Sequence, residues 1–284
     1  MRLNKILVAF LVLLLSGCNL SEPDIKEEKN DKNYQIMQKA GLDDEEIAKY
    51  LSYDYFDINK LERYLEYDAK TIKDKIIKVN MNLDLKPYED ITYIEKESDN
   101  ELVNKYNSLK PDYVPDDLVE IESVCINGSD YGCWGEGNLL RKDAAEAFEE
   151  WSNASQKAGY TLKAISGYRS YGYQENLYNN ALNTGGREYA DAYFARPGMS
   201  EHNTGLAVDI TFNDYNFNEI ENCDGYEWFV ENAYKYGFIL RYPSDKTDET
   251  LYNYESWHFR YVGKKLAKKL YKSRETLEYY KATH

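Results

Sequence analysis

His202, Asp209 and His258 are the residues of this chain best suited to holding a metal ion. The whole sequence contains three histidines, and the third, His284, is the last residue. Two histidines and one carboxylate make a three-ligand zinc set with a fourth position left open for water. Zn2+, one per chain, is therefore the expected cofactor. A metal ion of this kind lowers the pKa of a bound water to about 7. Hydrolysis then needs a base to take a proton from that water and pass it to the leaving amine. Glu255 lies three residues before His258, a separation that can bring its carboxylate beside the metal.

The elements around these residues must deliver them to one point. Asn203-Thr204-Gly205 reads as a turn, because Asn and Gly tolerate the positive φ angles that turns need. Leu206, Val208 and Ile210 then alternate with Ala207, Asp209 and Thr211, the period-2 pattern of a strand. Asp209 should project opposite the aliphatic residues, with the small Ala207 beside it. Trp257, Phe259 and Tyr261 alternate with His258 and Arg260 in the same way, so His258 should leave the far face of an aromatic-rich strand. Thr161 to Ser166 reads as a short strand that delivers Arg169. A guanidinium fixed near the metal can stabilise an oxyanion or clamp a carboxylate in two-pronged fashion. Arg241 and Arg260 are expected to serve structure.

Ser200-x-His202-x-x-Gly205-x-Ala207-x-Asp209, followed by Glu255-x-Trp257-His258, resembles the zinc carboxypeptidases of the VanY/LdcB type. The similarity takes in Ser166-Gly167-Tyr168-Arg169-Ser170-x-x-x-Gln174 and Gly237-Phe238-Ile239-Leu240-Arg241-Tyr242-Pro243, and runs over roughly residues 111 to 270. It implies a D-alanyl-D-alanine or L,D-carboxypeptidase acting on peptidoglycan stem peptides. It implies zinc at His202, Asp209 and His258, and Glu255 as the catalytic glutamate. It further implies that Arg169 binds substrate and supports the oxyanion, and that Gln174 and Ser200 contact the terminal D-alanine.

The rest of the chain frames this site. Met1 to Lys5 is basic and Ile6 to Leu15 is a ten-residue apolar run, the length of a signal-peptide core and too short to span a bilayer. Leu15-Ser16-Gly17-Cys18 resembles a lipoprotein box, so residues 1–17 are expected to be removed and Cys18 lipidated. Residues 18–33 are polar and read as a tether. Residues 34–90 read as a helical N-terminal region without visible chemistry. Gly41 is a helix stop, Asp43 to Glu46 a helix start, Asp57 a cap, and a further helix runs through Ile72 to Val79. Residues 91–284 are the expected catalytic domain. Helices are expected over Lys142 to Ala158, Gln174 to Leu182, Tyr226 to Tyr236 and Lys264 to Tyr271, with a strand at Phe238 to Leu240. Helices and short strands mix without regular βαβ alternation. The expected class is therefore α+β, a small antiparallel sheet flanked by helices.

Four cysteines are present, Cys18, Cys125, Cys133 and Cys223. Cys125 and Cys133 bracket a turn-rich loop and are a possible disulfide outside the cytoplasm. Pairings with Cys223 stay open. No Cys-x-x-Cys spacing suggests a cysteine metal site.

The formal charge is −15, and loss of Arg2 and Lys5 with the leader takes it to −17. So acidic a chain is repelled by nucleic acid, which is excluded as a partner. The expected setting is extracytoplasmic, lipid-anchored to the cell membrane, and the composition, rich in Lys, Asn, Tyr and Ile, goes with a Gram-positive lineage. Removal of D-alanine from pentapeptide stems is the leading reading. Alternatives are L,D-carboxypeptidase action on tetrapeptide stems, a cross-link endopeptidase, or a non-catalytic lipid-anchored wall-binding protein. Discrimination between stems is expected from the loops 184–187 and 244–249, the latter carrying Asp245, Asp248 and Glu249.

Overall fold

The computed structural model describes residues 31–94, 101–124 and 138–284. The expected leader, Cys18, and the Cys125 and Cys133 pair lie outside the described residues. The chain divides into two compact units, one of Met1–Leu85 with Lys281–His284, the other Lys86–Tyr280.

The first unit is a small helical bundle. Its helices are α1 (Lys32–Lys39), α2 (Asp44–Leu51), α3 (Leu61–Glu66) and α4 (Ile72–Asn80). The first begins inside the expected tether, capped by the Asp31 side chain. Asp43 caps α2 in a reciprocal capping box with Glu46, which satisfies backbone donors that a helix start would otherwise strand. Asp57 caps the 3-10 turn that leads into α3, as its position suggested. Met37, Ile47, Tyr64, Ile76 and Val79 are fully buried in the core of this unit.

The second unit is built on a four-stranded sheet of β5 (Leu162–Ser166), β6 (Ala207–Phe212), β7 (Phe238–Leu240) and β8 (His258–Tyr261), in the order β5-β6-β8-β7. All three pairings are antiparallel. Before it come two short pairs, β1 (Thr92–Tyr93) with β2 (Asn107–Ser108), parallel, and β3 (Leu118–Glu120) with β4 (Leu139–Arg141), antiparallel. The helices are α5 (Lys142–Lys157), α6 (Tyr171–Tyr193), α7 (Tyr226–Asn232), α8 (Thr247–Thr250), α9 (Lys264–Ser273) and α10 (Leu277–Thr283). The class is α+β, as the irregular mix of elements indicated.

Period-2 alternation sorts the sheet into two faces. Val208, Ile210 and Phe212 of β6 join Phe259 and Tyr261 of β8 and Phe238 of β7 in the main core. Trp151 of α5 sits at its centre, its ring stacked on Phe238 at 5.5 Å and edge-on to Phe259 at 5.2 Å. The other face of β6 and β8 presents Asp209, His258 and Arg260, and all three are buried as well.

Three elements depart from the expected pattern. Residues 184–187 are not a loop: they belong to α6, which continues to Tyr193 across a kink where Gly186 takes φ 80°. Gly185-Gly186 reads as a break, yet glycine's freedom lets the helix resume past it. Residues 247–250 form the short helix α8, and α10 follows α9 where no further helix was expected.

Candidate metal centre

The sheet register does the first part of the assembly. Asp209 pairs with His258 across β6 and β8, and with Ser166 across β5 and β6, so the three stand in one row over three strands. His202 comes from a 3-10 turn, Glu201–Thr204, that ends at Gly205 in the left-handed region with φ 69°. An added Cβ at Gly205 would lie 2.9 Å from Leu118 and 3.0 Å from Arg141, so glycine is required for both conformation and space. The turn is zipped to the segment after β5. Arg169 N–H donates to the His202 carbonyl at 3.1 Å, and the Asn203 side chain donates to the Arg169 carbonyl at 2.6 Å. A Cβ at Gly167 would collide with the Leu139 carbonyl, which is why that segment can run so close.

His202, Asp209 and His258 converge with their ligand atoms within 4.8 Å of one another. His202 Nε2 lies 3.2 Å and His258 Nδ1 3.1 Å from Asp209 Oδ1. Zinc–nitrogen bonds of about 2.0–2.1 Å in a tetrahedron place ligand atoms about 3.3 Å apart, so the donor set and its two spacings to Asp209 fit zinc. The outer atoms are fixed too. His202 Nδ1 donates to the Gly167 carbonyl at 2.7 Å, which leaves Nε2 as the inward lone pair. His258 Nε2 is 3.2 Å from Glu201 Oε2, which leaves Nδ1 facing the ligands. Asp209 Oδ2 accepts from Arg169 Nη2 at 2.6 Å, so Oδ1 is its inward oxygen. Arg169 Nε in turn donates to Ser166 Oγ at 3.0 Å.

The electrostatics follow from burial and these partners. Burial and the Arg169 charge push His202 down to about 4, so it is neutral in the working range. Burial opposes the charge on His258, but its bonds to Asp209 and Glu201 prevail and lift it to about 9. Burial likewise opposes the Asp209 carboxylate, yet His202 and Arg169 hold it well below the usual range. Glu255 Oε2 is 3.8 Å from His258 Nδ1. Removal from water, with the negative charge of Asp209 adding to it, raises the Glu255 carboxyl to about 7.

The remaining expected site residues are buried around this centre. Gln174 on α6 donates through Nε2 to the Ala195 carbonyl at 2.8 Å, while its Oε1 is buried without a hydrogen-bond partner. Ser200 is buried directly before the 3-10 turn. Arg241 and Arg260 are fully buried in ion pairs with Glu201, as their structural reading anticipated. Of the three acids at 245–249, Glu249 is engaged by Lys246 at 2.9 Å and by Thr276 at 2.7 Å. Glu201 is the functional-site residue that the sequence pattern did not single out. It sits between two motif positions, but nothing local separates it from the chain's other acids. Among the described residues Cys223 is a free cysteine.

A small antiparallel sheet that brings two histidines and an aspartate to one buried point, with a glutamate beside them, defines a zinc-peptidase type of domain. The profile of the VanY family, D-alanyl-D-alanine carboxypeptidase, matches residues 137–264. Over 183 residues the chain is 45% identical to the putative carboxypeptidase YodJ of Bacillus subtilis (strain 168), covering 63% of this chain and 65% of that one. Over 187 residues it is 30% identical to the bifunctional D-Ala-D-Ala dipeptidase and D-Ala-D-Ala carboxypeptidase VanXYC of Enterococcus gallinarum, covering 63% of this chain and 92% of that one. The solved LdcB LD-carboxypeptidase is 38% identical with a TM-score of 0.61, over 71% of this chain and 94% of that one. A VanY D,D-pentapeptidase solved with Zn(II) is 30% identical with a TM-score of 0.52, over 65% of this chain and 99% of that one. The chain spans 65% of the length of the YodJ protein and half of a D-alanyl-D-alanine carboxypeptidase from Enterococcus faecium. It belongs to the VanY family of zinc carboxypeptidases.

Proposed function

We propose that this chain is a zinc D-alanyl-D-alanine carboxypeptidase that removes the terminal D-alanine from peptidoglycan stem peptides. The observation that carries this reading is the convergence of His202, Asp209 and His258 with the raised carboxyl of Glu255 3.8 Å from His258. Bound zinc supplies Lewis-acid polarisation of the scissile carbonyl and acidification of the attacking water.

The chain's own residues do the rest. Glu255 takes the water's proton and returns it to the nitrogen of the leaving D-alanine. In the metal-free protein burial raises this carboxyl, and acid–base catalysis is best when the pKa lies near the working pH. Arg169 holds Asp209 through Nη2, with a side chain 19% exposed, and presents the rest of its fork to a substrate carboxylate or developing oxyanion. Gln174 Oε1, buried and without a partner, is an acceptor for a substrate N–H. Ser200 is buried two residues before His202. Incubating the zinc-loaded protein with purified stem peptides and weighing the products tests this directly. Loss of one alanine is the expected change, and intact peptides would refute it.

The similarity to the LdcB LD-carboxypeptidase favours a second reading, cleavage of D-alanine from tetrapeptide stems. The leaving residue is D-alanine in both cases, so Arg169, Gln174 and Ser200 do not separate them. The pocket for the preceding residue does.

For location, Leu15-Ser16-Gly17-Cys18 supports an anchor at Cys18 outside the cytoplasm. Among the described residues, no helix is long and apolar enough to cross a membrane.

A further inference from the structure

Glu201 is the centre of a buried ion network that reaches from His258 to the last helix. Its Oε2 takes His258 Nε2 at 3.2 Å. Its Oε1 accepts from Arg241 Nε at 2.8 Å and from Arg260 Nη1 at 2.9 Å. Arg241 turns its other two nitrogens to Glu278 of α10, Nη1 to Oε2 at 2.8 Å and Nη2 to Oε1 at 2.6 Å. Glu201, Arg241, Arg260 and Glu278 are all at most 2% exposed. Two carboxylates balance two guanidiniums, so the cluster is neutral as a set.

We infer that Glu278 is a positioning residue for the metal centre, acting through Arg241 and Glu201 on His258. The argument is one of charge and direction. Each charged group in so dry a place must be held by good geometry, because an unpaired buried charge is costly. Glu278 fixes the Arg241 fork in both directions of its plane, and the fork's remaining Nε–H aims at Glu201. Arg241 and Arg260 together take one oxygen of Glu201, which leaves the other directed at His258. That bond selects the His258 tautomer whose Nδ1 lone pair faces the ligand centre. Without Glu278, Arg241 loses the carboxylate that fixes the plane of its fork. The freed guanidinium donors turn onto Glu201 and draw it away from the imidazole. The C-terminal helix thus contributes to metal binding without touching a ligand.

The inference rests on the zinc reading of the site, and the test separates the two. Zinc dissociation constants are measured on the full chain by chelator competition, for the native protein, Glu201→Gln, Glu278→Gln and the double variant. Glu201→Gln is expected to weaken binding about 10- to 100-fold. Glu278→Gln is expected to weaken it about threefold or more, although it lies two side chains from the ligand. The double variant is expected to match Glu201→Gln alone within about twofold, because the second change acts only through the first. If Glu278→Gln does not fold, the paired change Arg241→Met with Glu278→Leu removes both charges and strands neither; it too should weaken zinc binding. Native binding with an unchanged constant in Glu278→Gln, or two losses that simply multiply, would overturn the inference. Absence of zinc binding by the native chain would instead refute the metal-site reading.

Discussion

Glu255 Oε2 stands 3.8 Å from His258 Nδ1, the nitrogen that faces Asp209 Oδ1. Its carboxyl is raised to about 7, chiefly by its removal from water. It is close enough to serve the metal centre and is not one of the three converging ligands. Glu255→Gln should therefore retain stoichiometric zinc while turnover falls about 10²- to 10⁴-fold. Elemental analysis beside the rate constant checks this. Near-native turnover, or loss of the metal, would remove Glu255 from the role of base.

His258 sets the pH dependence of metal binding. In the metal-free protein its pKa is raised to about 9, so the ring is charged at neutral pH. Its charged form stabilises the metal-free fold fully below its ordinary value of 6.5, and that contribution is lost as pH rises through about 9. Zinc demands the opposite state, since the lone pair of Nδ1 must be free. Binding between about pH 6 and 8 should release at least the His258 proton, with Glu255 and the bound water adding to it around pH 7, and the apparent affinity should rise at least about tenfold per pH unit before flattening near 9. His202, held down at about 4, adds nothing in that range. Titration calorimetry in buffers of different ionisation enthalpy counts the protons. A pH-independent affinity would contradict the account.

Arg169 bonds Asp209 Oδ2 and Ser166 Oγ from two nitrogens at once. A lysine can reach one of these but cannot reproduce a planar fork. Arg169→Lys should lower kcat/KM by about 10-fold or more, with zinc weakened less than in a ligand variant. An unchanged kcat/KM would show that the guanidinium is dispensable.

Cys18→Ala tests the location. If the lipoprotein box is read correctly, the variant is released from the membrane or accumulates unprocessed, because stable anchoring requires the acyl chains. Unaltered membrane retention with a correctly cleaved N-terminus would exclude the anchor.

The placement of Asp209 and His258 was legible because both lie on strands with strict alternation, whereas His202 comes from a 3-10 turn. Leu206, Val208 and Ile210 fix the core face, so Asp209 had to face away from it, and Phe259 and Tyr261 do the same for His258. Glu201 was not legible. Its meaning comes from Arg241, 40 residues away, and from His258, 57 residues away, and only the folded sheet brings them together. The full length of α6 was hidden by Gly185-Gly186: Gly186 does break the helical conformation, and a second helical stretch follows the kink to Tyr193. The last helix, α10, is short, and besides the buried Leu277 it is held by the Glu278–Arg241 pair, which no periodicity announces.

Release of D-alanine tests the central claim most directly. The zinc-loaded chain, its chelated form and Glu255→Gln are each given pentapeptide and tetrapeptide stems at equal concentration, and free D-alanine is followed with time. The account predicts release by the zinc-loaded native chain alone, with kcat/KM higher for the pentapeptide. A tenfold preference for the tetrapeptide, about 1.4 kcal/mol at the transition state, would reassign the enzyme to L,D specificity. No release from either stem, with zinc shown to be bound, would contradict the proposed activity itself.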